Sequence, residues 1–141
     1  MKSIFTILIV ALGFSINAQT DWNEVVKMDN IRNFVGHMGG ASVNTCQDVN
    51  GVPYHTLSLA IKHESQTLID HILVQEDLDL SAVCADKTIL MYGIKYGNLD
   101  LVKTLISKGA TISQKSAQGK SAIDYARKYQ KREIYEYLKA L

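Results

Sequence analysis

Residues 87–112 decide the fold and read KTILMYGIKYGNLDLVKTLISKGATI. They predict a short helix, a tight turn at Gly97 and Asn98, a second helix, and a stop at Gly109. Gly97 is suited to a left-handed helix end, and Gly109 is suited to the same conformation after the second helix. The stretch therefore predicts one helix-turn-helix unit.

The unit recurs at a fixed interval along the chain. The segments HTLSLAIKHESQTLIDHIL, TILMYGIKYGNLDLVKTLI and SAIDYARKYQKREIYEYL begin at His55, Thr88 and Ser121, which lie 33 residues apart. Large apolar residues then align with large ones, and small residues with small ones. The matching columns are Leu57, Leu90 and Ile123; Ala60, Gly93 and Ala126; Leu68, Leu101 and Ile134; and Ile72, Leu105 and Leu138.

This column pattern has a physical cause. A small residue at the centre of the first helix lets the next repeat approach closely, and the second helix carries a bulky apolar stripe at helical spacing. One unit cannot cover that stripe alone, whereas stacked units bury it between neighbours. The pattern therefore predicts a solenoid of stacked helix pairs.

The repeat length and the register of TILMYGIKYGNLDLVKTLISKGATI resemble the ankyrin repeat, whose helix pair is followed by an outward-projecting loop or β-finger. Gln130 departs from the family pattern, because it stands where that family has a glycine between the helices. The resemblance implies an all-α solenoid of about four helix-turn-helix repeats. We place these repeats at residues 19–50 (degenerate), 51–83, 84–116 and 117–141 (a C-terminal cap).

The first residues, MKSIFTILIVALGFSINAQ, have the features of a secretory signal peptide. Lys2 supplies a positive start, residues 4–16 form an uncharged apolar run, and Ala18 is a small residue at a plausible cleavage point. We therefore expect residues 1–18 to be removed and the mature protein to be periplasmic or secreted. A retained N-terminal anchor is the alternative. No second apolar stretch long enough for a membrane span follows, so we expect none in the mature chain.

The rest of the chain is electrically balanced. Without Lys2, its 14 basic side chains stand against 14 acidic ones. Nucleic-acid binding normally depends on a clear basic excess, so we expect no nucleic-acid partner. About 120 residues suffice for one domain with its own core. We expect that domain to be a monomer.

The resemblance also implies a partner-binding surface, because ankyrin arrays bind proteins through the finger tips and the exposed side of the first helices. Carried onto this sequence, that concave surface comprises Val52, Tyr54, Lys62, His63, Ala85, Lys87, Lys95, Tyr96, Gln118, Lys120, Lys128 and Tyr129.

Three lysines of that surface recur every 33 residues, each followed by a flat ring: Lys62, Lys95 and Lys128. One interpretation is a docking strip for an acidic partner surface, with tyrosine supplying rigid contact area and lysine supplying electrostatic steering. The alternative is a row of ordinary solvated lysines. Compensating acid is expected in the loop after the second repeat, at Glu76, Asp77 and Asp79.

The two cysteines fall in neighbouring loops of the stacked array. Cys46 follows the first repeat and Cys84 follows the second. An even cysteine count in an exported chain favours a disulfide, although backbones of adjacent repeats are normally about 10 Å apart and a bridge needs α-carbons within about 7 Å. The first loop is long enough to bend. A Cys46–Cys84 bridge is therefore one prediction, and two reduced thiols are the alternative.

No catalytic pattern stands out. The spacing of His37, His55, His63 and His71 does not match a metal-ligand motif, no glycine-rich phosphate loop precedes a helix, and no serine lies in a nucleophile elbow. The remaining tyrosines are expected to pack rather than to hold a cofactor: Tyr92, Tyr125, Tyr135 and Tyr137. We expect no enzyme activity, no cofactor and no metal.

Two functions fit these expectations. In the first, the protein binds and neutralises one partner, as an immunity-type inhibitor would act on a toxin delivered into the cell envelope. In the second, it is a structural or assembly accessory that holds an envelope protein without inhibiting it. Both share the broader prediction of protein binding.

Overall fold

The structure, a computed structural model, describes residues 21–141, so the predicted signal peptide lies outside the described residues. Within residues 21–141, no helix combines the length and apolar character that crossing a bilayer requires. Eight helices form four successive pairs in these residues. They are α1 (Trp22–Lys27), α2 (Ile31–Met38), α3 (Thr56–Lys62), α4 (Gln66–Leu73), α5 (Ile89–Tyr96), α6 (Leu99–Ser107), α7 (Ala122–Lys128) and α8 (Arg132–Lys139).

The aligned residues His55, Thr88 and Ser121 are the N-caps of the first helices in the second, third and fourth repeats. The Nδ1 atom of His55 accepts a hydrogen bond at 3.1 Å from the Leu57 backbone N–H in α3. Thr88 Oγ1 accepts one at 3.2 Å from the Met91 backbone N–H in α5. Ser121 Oγ accepts a hydrogen bond at 3.3 Å from the Asp124 backbone N–H. The Asp124 carboxylate in turn accepts a hydrogen bond from the Ser121 backbone N–H. Each side chain thus satisfies a donor that the helix itself leaves unpaired.

The first helices of the pairs stack on one another, and so do most of the second helices. Helices α1, α3, α5 and α7 follow each other in one layer, while α2 packs on α4 and α6 on α8. The aligned apolar residues Leu57, Leu68, Ile72, Leu90 and Leu105 are at most 1% exposed. The predicted all-α solenoid of helix pairs is therefore confirmed.

The column of small residues has a different explanation from the one that the sequence suggested. A Cβ atom on Gly93 would lie 2.7 Å from Leu105 Cδ1, which belongs to the other helix of the same repeat. The small residue therefore lets the two helices of one pair approach each other. Its closest neighbour is not in the next repeat.

The prediction that Gly97 adopts a left-handed conformation is wrong. Gly97 has φ −93° and ψ −160°, whereas Glu64 and Gln130, which occupy the same column, have φ of 55° and 56°. Gly97 is required by space instead, because a Cβ atom there would lie 2.6 Å from the carbonyl oxygen of Gly93. Gly109 has φ 107°, as predicted.

Two short antiparallel hairpins project between the described helix pairs and form the expected fingers. The first finger comprises β1 (Cys46–Val49) and β2 (Val52–His55), and the second comprises β3 (Val83–Cys84) and β4 (Lys87–Thr88). Strand β2 lies against β3. A disulfide joins Cys46 to Cys84, whose α-carbons are 5.7 Å apart, so the predicted bridge is present.

The Asp77 carboxylate and the Asp79 backbone hold adjacent loops together, whereas the Asp79 carboxylate accepts a hydrogen bond from Ser81 of its own loop. Ser42 Oγ donates to an Asp77 carboxylate oxygen at 2.9 Å, and the Asp79 backbone N–H donates to Asn44 Oδ1 at 2.8 Å. Asn44 Oδ1 also lies 3.4 Å from the Nε2 atom of His55. These acids and amides therefore fasten the loop after the second repeat to the loop after the first.

The disulfide yields a first prediction. It closes a loop with a sequence separation of 38 residues. Replacing both cysteines by alanine is expected to lower the free energy of unfolding by up to about 4 kcal/mol, because the open loop gains conformational entropy in the unfolded chain. Urea unfolding with and without reductant measures this. Reductant should lower the free energy of unfolding of the parent protein and leave that of the double variant unchanged. An equal free energy for the parent with and without reductant would contradict the bridge.

The turn between paired helices yields a second prediction. Gln130→Gly relieves a left-handed backbone and is expected to raise the free energy of unfolding by about 0.5–1 kcal/mol. Gly97→Ala presses a Cβ atom against a backbone oxygen and should lower it by about 1–3 kcal/mol. Denaturant titration measures both. A Gly97→Ala protein as stable as the parent would show that this turn can move without cost.

The N-cap histidine yields a third prediction. His55 is 1% exposed, and burial lowers its pKa from 6.5 to about 4. The unfolded chain therefore binds more protons than the folded one between these values, so stability falls as the pH drops through that window, by at most about 3 kcal/mol. His55→Thr replaces the capping nitrogen by a hydroxyl oxygen, as at Thr88, and this variant should lose less stability between pH ~7 and ~4 because the buried imidazole is gone. Equal losses would exclude His55 as the cause.

Candidate functional site

The recurring lysines lie beside tyrosine rings, in a row that crosses three repeats. Most residues of the predicted partner-binding surface belong to this row, and so does Tyr92, for which the sequence predicted only a packing role. We name it the lysine–tyrosine strip, comprising Tyr54, Lys62, Lys87, Tyr92, Lys95, Tyr96, Lys128 and Tyr129.

The first half of the strip joins the second and third repeats. Lys62 Nζ donates to the Tyr54 hydroxyl at 2.9 Å and lies 4.5 Å from the centre of the Tyr54 ring. The Tyr54 and Tyr92 rings pack edge to face with 5.8 Å between their centres, and Lys87 Nζ lies 5.9 Å from the Tyr92 ring centre. Two finger residues, Tyr54 and Lys87, and two helix residues of different repeats, Lys62 and Tyr92, are thus held together.

The second half joins the third and fourth repeats through one ammonium group. Lys95 Nζ lies 4.7 Å from the ring centre of Tyr96 and 5.0 Å from that of Tyr129, while Lys128 Nζ lies 5.4 Å from Tyr129. Hydrogen bonding to the Tyr96 side chain, the largest influence, raises the pKa of Lys95. The amine therefore stays charged at neutral pH, and ring faces attract such a cation.

Two buried tyrosines support the half-buried rings of Tyr96 and Tyr129. Tyr92 stacks on Tyr96 at 6.2 Å, and Tyr125 stacks on Tyr129 at 6.0 Å. Tyr92 and Tyr125 are 6% and 3% exposed, in agreement with their predicted packing role, and burial raises the pKa of both hydroxyls. Because each outer ring rests on an inner ring that belongs to the core, little side-chain freedom remains to be lost when a partner binds.

A shallow depression continues the strip on the fourth repeat. It has a volume of about 300 Å³ and brings together predicted residues Gln118, Lys120 and Lys128. Arg127 and Asp124 also line it, with 3.9 Å between their charged groups. Sequence reasoning missed Arg127, although a signal exists: the residues at the same place in the preceding repeats are the buried Ile61 and Ile94, so arginine breaks an apolar column.

The remaining predicted residues lie apart from the strip. His63 Nε2 is 2.8 Å from Asn23 Oδ1, so the imidazole faces the first repeat, and the finger residue Tyr54 takes the place beside Lys62. Burial lowers the pKa of His63, which favours the neutral ring. Val52 and Ala85 are exposed at the tips of the two fingers.

The chemistry available on this face is ammonium groups, one guanidinium and phenol hydroxyls. Within residues 21–141, no group of three or more histidine, cysteine or carboxylate side chains is arranged to hold a metal ion. Such a face can attract an anionic surface and contact it with rigid rings.

Comparison with known proteins agrees with this arrangement. Residues 57–140, more than half of the chain, match the family described as ankyrin repeats in three copies. No curated protein sequence matches the chain. The ankyrin repeat is a non-catalytic fold that serves protein–protein interaction. The chain belongs to the ankyrin repeat family and has the architecture of a protein-interaction module.

Proposed function

We propose that the protein is an exported, non-enzymatic binding module whose lysine–tyrosine strip docks an acidic surface of one partner protein. The observation that carries this proposal is the continuity of the strip: Lys95 contacts rings of two repeats, and Tyr54 links the first finger to the third repeat. Isolated solvated lysines would not need such contacts.

The different properties of tyrosine and lysine support a role of the strip in binding, in addition to any role in stability. Cation–ring contacts stabilise a fold by about 0.5–2 kcal/mol each, depending on their burial, and the half-buried lysines of the strip keep part of their surface free for a partner. Tyrosine is enriched among the residues that dominate interface energies, and lysine at the rim mainly speeds association with an oppositely charged partner. Docking on acidic groups uses both properties.

The envelope is the proposed location, and immunity to an envelope-acting toxin is the proposed role. The leader at residues 1–18 and the Cys46–Cys84 disulfide both support an oxidising compartment outside the cytoplasm. A small monomeric array with a rigid cationic face suits an inhibitor that covers one surface of another protein. Blocking that surface would neutralise the toxin without any chemical step.

The fourth prediction tests the strip by affinity capture. The tagged mature chain is expected to retain one dominant partner from an envelope fraction. Lys95→Glu should weaken that binding about tenfold or more, because it reverses the charge at the junction of two repeats, and Tyr96→Ala should weaken it by a similar factor. Calorimetry on the purified pair measures both effects, and added salt should weaken the parent complex.

Lys108→Glu is the matched control, since it makes the same charge change on an exposed lysine outside the strip. An equal loss with Lys108→Glu would assign the effect to net charge. If both the Lys95→Glu and the Tyr96→Ala variants bind the partner as tightly as the parent, the proposal that the strip docks the partner is refuted. Assaying the partner's own activity with and without the protein then separates the roles: inhibition supports immunity, and unchanged activity supports the accessory role.

A further inference from the structure

Three lysines of the lysine–tyrosine strip follow one another at the interval of the repeats. Lys62, Lys95 and Lys128 each lie in the last turn of the first helix of a repeat, and those helices, α3, α5 and α7, pack side by side in one layer. Helices packed in this way have axes about 8–10 Å apart. The three ammonium groups therefore form a row whose period is set by the stacking of the repeats.

The side-chain contacts at the end of the row agree with that period. Lys95 Nζ lies 5.0 Å from the centre of the Tyr129 ring, and Lys128 Nζ lies 5.4 Å from the same centre. The two ammonium groups are therefore at most about 10 Å apart. Lys95 Nζ also lies 4.7 Å from the Tyr96 ring centre, so rings and cations alternate from Tyr96 to Lys128.

These distances match the repeat of an α-helix better than the repeat of an extended chain. One turn of α-helix rises about 5.4 Å, and seven residues rise about 10.5 Å, which returns the seventh side chain to nearly the same face. In a strand, the side chains on one face repeat every 6.6–6.8 Å or so, and the next multiple is about 13 Å. Carboxylates on a helix can therefore meet successive lysines, whereas carboxylates on a strand fall out of step with them.

The charges and the rings of the row are accessible to such a helix. Lys62 and Lys95 are half-buried and Lys128 is exposed, and no ion pair in the described part of the chain includes any of them. Tyr96 and Tyr129 are half-buried and rest on buried tyrosines. Each ring thus offers a fixed apolar surface beside a cation that has no carboxylate partner within this chain's described residues.

We propose that the strip binds an α-helix of the partner protein, whose carboxylates recur every seven residues along one face and whose apolar side chains lie one turn away from them. The carboxylates meet Lys62, Lys95 and Lys128 in turn, and the apolar side chains meet the rings of Tyr96 and Tyr129. This inference rests on the proposed docking function and adds the shape and the charge spacing of the docked surface. A straight helix drifts by about 20° per seven residues, which the flexible lysine side chains can follow.

The test uses the whole mature chain, labelled with ¹⁵N, and a synthetic helix as the probe. The probe is three copies of Glu-Ala-Ala-Leu-Ala-Gln-Ala with blocked ends, so one glutamate and one leucine recur every seven residues. Its alanine-rich sequence favours the helical state. The probe is expected to shift the backbone amide signals of Lys95, Tyr96 and Tyr129 in a saturable way, with a Kd of about 0.1–1 mM at low salt.

A second peptide separates charge spacing from total charge. It has the same composition, but its glutamates are five residues apart, so successive carboxylates turn by about 140° around the helix and face different sides. This peptide should bind at least about fivefold more weakly than the probe, because it can place only one carboxylate at the row at a time.

A charge exchange determines which groups meet. Lys95→Glu should weaken binding of the probe about tenfold, and a probe with lysine in place of its central glutamate should regain about threefold to tenfold of that loss. A purely structural effect of the substitution would give no such gain. Lys108→Glu is the matched control, because it makes the same charge change on an exposed lysine outside the strip. Its affinity for the probe should stay within about twofold of that of the parent.

Three results would overturn the proposal: no saturable shift up to about 5 mM probe, equal binding of the two peptides, or no regained affinity after the charge exchange. The result for the docking function stays separate. If the probe fails while Lys95→Glu still weakens binding of the captured partner, the strip docks a surface of another shape. If the probe binds as expected and no partner is captured, recognition of a helix stands and the proposed envelope partner is refuted.

Discussion

Burial of apolar side chains between neighbouring repeats is the constraint on which the rest of this structure depends. Leu57 and Leu90, one repeat apart, are both removed from solvent, as are Ile72 and Leu105. A repeat contacts mainly its neighbours, so the array is held by a chain of nearest-neighbour interfaces. Stacking in register also brings residues with equal positions in successive repeats into a row, which is how Lys62, Lys95 and Lys128 come to share one face.

The two faces of the array differ because the two layers of helices pack differently. On the finger side, closely stacked first helices bring Tyr54, Tyr92 and Tyr96 into ring contact, and the disulfide holds the neighbouring fingers together. Between the second and third repeats, Glu64, Asp70 and Asp100 line a groove that begins at the edge of the strip, where Tyr96 belongs to both surfaces. A chain with nearly balanced total charge thus carries two local surfaces of opposite sign, which is the property that matters for recognition.

Particular residues show why some features were predictable. The 33-residue alignment of His55, Thr88 and Ser121 could be seen in the sequence, and the structure shows its cause, because each of the three caps a helix. The sequence could not show that the ring beside Lys62 is Tyr54 and not His63, because this depends on how the first finger folds over the second repeat. The conformation of Gly97 was predicted wrongly for a related reason: its glycine is explained by the lack of space for a Cβ atom beside the Gly93 carbonyl, whereas Gln130 in the same column is left-handed.

The sequence by itself determined the helix pairs, their 33-residue interval and the apolar columns that make them stack, because helical periodicity and capping act within a few residues. It also placed three lysines in one row. Only the tertiary structure decided which rings those lysines meet, and which gap between repeats stays open beside Glu64, Asp70 and Asp100. Those features depend on distances between side chains far apart in the chain, and only packing sets such distances.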